Sequence, residues 1–344
     1  MIQMEEKMGN SYTMKIDAYS HISPPKFTEA MKKLSSKYYG GNVRPLFDME
    51  ERFRLMDMYP EVVQVLTIGP VPPLEALADP TQAVDLAKLA NDEMAELTRK
   101  YRDRFVAAIA LLPMNNVEAA LKETDRAIKD LGFRGIYVHS NINGKPLDSL
   151  EFWPLWEKMA NYDLPIYIHP WRKDEFADYE TEKESKYMVA NVFGWPYETT
   201  VAMTRFIFSG ILDKYPKLKI VTHHGGGMVP YYEERIYQHY GRQIIGSGPR
   251  NEYVRKLSKT PLEYYKMFYN DTAIHGNTPA LMLAYNFWGA DHILFGADYP
   301  LGDYYYGLRS YRNTIGAIEA MGITEPEKKK IFVDNIINLL RIPL

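Results

Sequence analysis

The chain has 344 residues, 46% of them hydrophobic, and a formal net charge of −3, which is enough apolar material for a large core that needs no staples. Nothing in the charge balance favours nucleic acid or an anionic membrane, so the expected partner is a small molecule. No cysteine occurs, which excludes disulfides, thiolate nucleophiles and thiolate metal sites, and leaves His, Asp, Glu or Tyr to hold any metal.

Residues 1–13 are polar and read as a flexible tail, and no later run reaches the ~18 apolar residues of a membrane span, so a soluble, cytoplasmic protein is expected. The first strand is predicted at 14–18, delivering Tyr19 and His21 to its tip. Breakers at Ser23-Pro24-Pro25, Gly40-Gly41 and Arg44-Pro45 predict short helices and a long loop over 23–60, the kind of segment that covers active sites. A helix at 49–58 leads into a second strand at 62–68. A long helix follows at 81–102, where Val84, Leu86, Ala87, Ala90, Met94 and Leu97 keep the helical period. The third strand, 105–112, precedes a helix at 117–131 stopped by Gly132. The fourth, 135–138, is tipped by His139, and a helix at 150–162 leads to the fifth, which ends in His169-Pro170-Trp171. After a polar excursion at 172–186 and a helix at 198–214, the sixth strand, 218–221, runs into Thr222-His223-His224-Gly225-Gly226-Gly227. Three glycines there permit a sharp turn and close backbone approach. A helix at 231–240, a seventh strand at 266–270 with Asp271 and His275 beyond it, and a helix at 279–288 lead to an eighth strand ending at Asp298. Helices at 311–321 and 325–340 close the chain.

Eight strands alternating with helices, without repeats or linkers, predict a single (β/α)8 TIM barrel domain over 14–344. A doubly wound open sheet is the competing architecture, but no G-x-G-x-x-G follows the first strand and no Walker-type loop is present. A lone strand-end histidine is more often a core residue beside a loop. Agreement among the tips carrying His21, His169, His224 and Asp298 points instead to one site at the barrel mouth.

Asp17-x-x-x-His21, Ile168-His169-Pro170-Trp171, His224-Gly-Gly-Gly followed by Pro230, and Gly296-x-Asp298-Tyr299-Pro300 resemble the amidohydrolase-related superfamily, over nearly the whole chain. They are most similar to its branch of aminocarboxymuconate semialdehyde, resorcylate and carboxyvanillate decarboxylases. The resemblance implies one divalent metal, zinc or manganese, bound by His21, His169 and Asp298, with His224 as the catalytic acid/base. Imidazole and carboxylate suit such an ion independently. Tyr19 departs from the pattern, which has His or Glu there. It implies a phenolate ligand, a metal with three protein ligands and more water, a weakened site, or a side chain that only packs.

By the same resemblance, Arg44 and Arg242 are expected to grip substrate carboxylates, the second from a partner subunit, so a homodimer or dimer-based oligomer is expected. A surface arginine is the bland alternative. His139 and His275 either line the pocket or are hydrogen-bonded core residues, and Trp171 is expected as a pocket wall. His223, His239 and His292 have weaker claims. The 27 tyrosines mostly pack, and Tyr231-Tyr232, Tyr264-Tyr265 and Tyr304-Tyr305-Tyr306 suit either a pocket or a subunit contact. The expected reaction is non-oxidative decarboxylation of a hydroxylated aromatic or unsaturated carboxylic acid. In that reaction His224 moves protons, and Asp298 is an alternative donor to carbon. Metal-dependent hydrolysis of a lactone or amide competes, as does a non-catalytic barrel with a weakened metal site.

Overall fold

Short runs of β-branched and aromatic residues bounded by turns make the eight barrel strands, in a computed structural model describing residues 14–38, 42–69, 72–241, 254, 256–303 and 307–343. They are β1 (Lys15–Ile22), β2 (Val62–Ile68), β3 (two pieces, Phe105–Ala108 and Ala110–Leu111), β4 (Ile136–His139), β5 (Ile166–His169), β6 (Ile220–Thr222), β7 (Tyr269–Asp271) and β8 (Ile293–Leu294). Each pairs in parallel with the next: β3 joins β2 through its first piece and β4 through its second. The circle closes where the Ala18 N–H donates to the Phe295 carbonyl and the His21 N–H to the Tyr299 carbonyl, each at 2.7 Å. This is the expected (β/α)8 barrel.

Buried Asp17 reinforces the closure, accepting from the Ala297 N–H at 3.3 Å and the Tyr311 hydroxyl at 2.9 Å. Burial pushes its carboxyl up to about 6, against these hydrogen bonds. The surrounding helices start on strong signals. Pro80–Lys100 has Asp79 accepting from the Thr81 and Gln82 N–H groups and Pro80 in its first turn, and it buries Ala83, Ala87, Ala90 and Met94 on one face.

Inside the barrel the two-residue period of a strand stacks side chains in layers. Register places Tyr137 opposite Tyr167 and His139 opposite His169. Tyr19 lies 6.4 Å from Tyr137 and 5.2 Å from Tyr167, ring centre to ring centre. A layer of three buried tyrosines therefore floors a layer of histidines. Among the described residues, no helix is long and apolar enough to cross a membrane.

Several boundaries differ from the sequence reading. β1 continues to Ile22, because Ser20, His21 and Ile22 pair with β2, so Tyr19 and His21 lie within the strand. The helix expected at 198–214 starts at Trp195 and breaks at Gly210, whose φ of +81° stops it. The helix expected at 325–340 carries a π turn at Lys330–Asp334. The tail at 1–13 lies outside the described residues.

Candidate metal centre

Three imidazoles meet at the barrel mouth, and in each the Nδ1 edge is already taken by oxygen. His21 Nδ1 faces the Ile68 carbonyl at 3.1 Å, and His169 Nδ1 faces the Pro170 carbonyl at 2.8 Å. His223 Nδ1 makes a short contact with the Asp271 carboxylate. A carbonyl only accepts, so Nδ1 of His21 and His169 carries the hydrogen and Nε2 keeps the lone pair that binds metals. Asp298 faces two of these Nε2 edges and a fourth histidine: its Oδ1 lies 3.3 Å from His21 Nε2 and 3.4 Å from His223 Nε2, and its Oδ2 lies 3.7 Å from His224 Nε2. The donor atoms of His21, His169 and His223 lie within 4.8 Å of one another, as do those of His223, His224 and Asp298, so either set could hold a metal ion.

The electrostatics fit a cation. His21 Nε2 is buried and has no hydrogen-bond partner, an expensive state for a lone pair unless a cation meets it. Burial pushes the Asp298 carboxyl up, but the imidazoles of His21, His223 and His224 facing it outweigh this and hold the group well below its usual range. Burial also disfavours charge on His223, yet Asp271 and Asp298 lift it to about 9. Two buried carboxylates thus favour positive charge here, which a dication supplies in place of a proton. His169 is pushed well below its ordinary value by burial and by its histidine neighbours, which keeps it a neutral ligand.

The backbone is bent to make this arrangement. His224 and Asp298 have left-handed φ values of 58° and 52°, and Gly225 to Gly227 continue at 65°, 74° and 65°. A Cβ on Gly226 would come within 2.2 Å of the Trp288 ring, so the expected glycine turn is required. A Cβ on Gly69 would lie 2.8 Å from the His21 side chain.

A model of the protein family described as Amidohydrolase matches residues 16–342. The chain belongs to this family. It is 33% identical over 305 residues to the γ-resorcylate decarboxylase of Polaromonas sp. (strain JS666), covering 86% of this chain and 89% of that one. Identity to the 2-amino-3-carboxymuconate-6-semialdehyde decarboxylase of Dictyostelium discoideum is 28% over 309 residues, covering 84% of this chain and 82% of that one. The solved structure of a dihydroxybenzoic acid decarboxylase from Polaromonas sp. JS666, with bound manganese and the inhibitor 2-nitroresorcinol, matches with a TM-score of 0.79 at 29% identity, over 96% of this chain and 97% of that one. The family and its decarboxylase branch are thus those that the four motifs indicated.

In this amidohydrolase, the structure gathers His21, His169, His224 and Asp298 at one centre. Tyr19 is adjacent and fully buried, its ring stacked on His223 at 3.9 Å and 12°, and burial pushes its phenol well above the usual range. His139 sits beside the centre, its ring 5.8 Å from that of His169. The Trp171 N–H donates to Ser140 Oγ at 2.9 Å, and its indole nitrogen is buried without a partner. His275 faces the Gly302 carbonyl at 3.0 Å, tying the loops after β7 and β8 together. Arg44 is not brought in: its side chain is 71% exposed and pairs with Asp48 at 2.5 Å. Arg242 and Tyr304-Tyr305-Tyr306 lie outside the described residues. His239 is exposed, and His292 stacks on Tyr269 at 4.6 Å, at the opposite end of β7 from the site.

The sequence reading underrated His223 and missed Trp195 and Glu75. Register is the signal for His223: one step past the Ile168 and Thr222 pair, it falls opposite His169. Trp195 stacks on His224 at 6.1 Å and 23°. Glu75 is buried 3.8 Å from His139, and no local pattern marks it.

Burial lifts the Glu75 carboxyl from 4.5 to about 7. The folded protein therefore keeps a proton that the unfolded chain releases between those values. Its contribution to stability is full below about pH 4.5 and is lost as pH rises through about 7. Glu75→Gln should match the parent near pH 4.5 and exceed its unfolding free energy by roughly 3 kcal/mol at pH 8, at ~1.36 kcal/mol per pH unit. Urea unfolding at both pH values checks this, and an equal difference at both would count against it.

Proposed function

We propose that this amidohydrolase is a metal-dependent, non-oxidative decarboxylase of a hydroxylated aromatic carboxylic acid, with His21, His169 and Asp298 as metal ligands and His224 as the acid/base. The observation carrying this reading is the placement of His224. Its side chain is 15% exposed whereas those of His21 and His223 are fully buried, so among these three it alone edges the open mouth while facing Asp298.

A bound divalent ion supplies a Lewis acid that draws electron density from substrate oxygens. The chain's own residues handle the proton. When the bond between ring and carboxylate breaks, its electron pair stays on the ring carbon, CO2 leaves, and one proton must reach that carbon. Burial and the adjacent His223 push His224 below its ordinary value, so near neutral pH it is an imidazole able to take a proton from the substrate hydroxyl and return it to carbon. Trp195 fixes its ring plane, and Asp298 lies close enough to share the proton. The low surrounding dielectric strengthens these interactions.

The test offers hydroxybenzoates such as 2,6-dihydroxybenzoate, carboxymuconate-type acids, lactones and amides to the manganese- or zinc-loaded protein, following CO2 and acid release separately. CO2 with stoichiometric phenol is the expected result. Hydrolysis of a lactone or amide without CO2 would overturn the proposal.

The working form we propose is a homodimer. Tyr187, Met188, Val192, Phe193 and Tyr197 are 92%, 69%, 53%, 67% and 52% exposed within one short segment after β5, which ends against Trp195 and the site. An apolar run of this kind suits contact with a second copy. Light scattering at micromolar protein should give twice the chain mass and Phe193→Asp a lower value. A monomeric parent would refute the dimer.

A further inference from the structure

We propose that His223 is itself a ligand of the metal, contributed from the tip of β6, and that Tyr19 is the stacked wall behind it rather than a donor. The proposal deepens the metal-dependent reading above and rests on it.

Distances carry the argument first. Donors of a tetrahedral shell at ~2.1 Å from the ion lie roughly 3.4 Å from one another, and those of an octahedral shell roughly 3.0 Å. Asp298 Oδ1 stands 3.3 Å from His21 Nε2 and 3.4 Å from His223 Nε2. Both separations are long for a charge-assisted hydrogen bond, which prefers roughly 2.7–2.9 Å, and both match the edge of a coordination polyhedron. His169 completes the set, with a donor atom within 4.8 Å of those of His21 and His223. His224 is set further back, its Nε2 3.7 Å from the other oxygen of Asp298.

The support behind His223 is that of a metal ligand. Asp271, 1% exposed, accepts from its Nδ1 and is itself held by the Ala273 N–H at 3.0 Å. A carboxylate bonded to the far nitrogen fixes the tautomer with Nε2 free and makes that nitrogen more basic. Asp271 and Asp298 also provide two buried negative charges to balance a dication.

Stacking then removes Tyr19 from the coordination shell. An imidazole lone pair lies in its ring plane, so a metal on His223 Nε2 lies in the His223 plane. The Tyr19 ring is nearly parallel to that plane, at 12°, with the ring centres 3.9 Å apart. Carbon surfaces in contact stand roughly 3.5 Å apart, and the phenol oxygen stays in its own ring plane. Even with the 12° tilt it therefore stays roughly 3 Å from that plane, beyond a bond of ~2 Å. The same stack presses His223 into one orientation, a positioning role that phenylalanine can fill.

The test measures metal directly. Protein stripped by chelator is titrated with Mn2+ by equilibrium dialysis with elemental analysis, and the Zn2+-loaded parent is studied by X-ray absorption. The parent should bind one ion, and its absorption fine structure should count three imidazoles. A parent that binds none sinks the metal-dependent reading as a whole, and this proposal with it. A parent that binds with only two imidazoles keeps that reading and overturns this proposal alone, and this outcome is decisive even if the His223 variant fails to fold. His223→Ala should weaken binding at least ~100-fold and Asp271→Asn ~10- to 100-fold, while Tyr19→Phe stays within about threefold. Unchanged affinity in a folded His223→Ala, or loss of metal in Tyr19→Phe, would overturn the assignment.

Discussion

His224→Asn is expected to lower CO2 release by about 100- to 10,000-fold while one metal ion per chain stays bound, because the substitution removes a positioned acid/base and leaves the ligand set whole. Asparagine keeps a polar side chain beside Asp298 but cannot take up a proton near neutral pH. The left-handed backbone at this position, φ 58°, also suits asparagine better than most residues, so the fold should survive. Steady-state CO2 release and elemental analysis on the same preparation check the prediction. Loss of activity together with loss of metal would place His224 in the coordination shell, and full activity would remove it from the chemistry.

Arg52→Met should cost about 3–5 kcal/mol of stability, because four buried neutral acceptors lose their donor at about 1–3 kcal/mol each, offset in part by relief of the buried guanidinium's desolvation. Arg52 is fully buried under the rings of Tyr299 and Phe105, at 5.0 and 5.7 Å. Its guanidinium donates to Gln64 Oε1 at 2.6 and 3.0 Å, to the His21 carbonyl at 2.8 Å, to the Pro45 carbonyl at 3.2 Å and to Ser20 Oγ at 2.8 Å. Methionine fills much of the volume but leaves these acceptors unpaired in the interior. Two of the contacts hold the end of β1 at His21, so metal affinity should fall as well. Arg54→Met is the control: its side chain is 60% exposed and paired with Glu51, and its removal should change stability by less than ~1 kcal/mol. Urea unfolding of the two variants side by side checks the contrast, and equal midpoints would show that the buried network contributes nothing.

Much of this was legible in the chain. β2 falls on the predicted residues 62–68, β4 lies within one residue of its predicted 135–138, and β5 ends at His169 as expected, because each is a contiguous run whose β-branched residues and flanking breakers act locally. The same locality placed His169 at the end of β5, whereas β8 stops at Leu294 and Asp298 lies four residues beyond it, and the turn at Gly225 to Gly227 followed from glycine's freedom at positive φ.

The underrated and missed residues share a different cause. His223 becomes a candidate ligand only because β6 registers with β5 and because Asp271, 48 residues away in sequence, backs its ring. Tyr19 reads along the sequence as a departure from the family's ligand pattern whose role is open, and in the barrel as part of a tyrosine layer, since its neighbours Tyr137 and Tyr167 come from other strands. Glu75 and Arg52 carry no local signal at all, because a buried charge is defined by what surrounds it. By itself, then, the sequence determined where the strands run and which polar residues gather near their C-terminal ends, for strand formation depends on near neighbours. Only the tertiary structure decided which nitrogens share a centre, because that depends on register and closure between strands far apart in the chain.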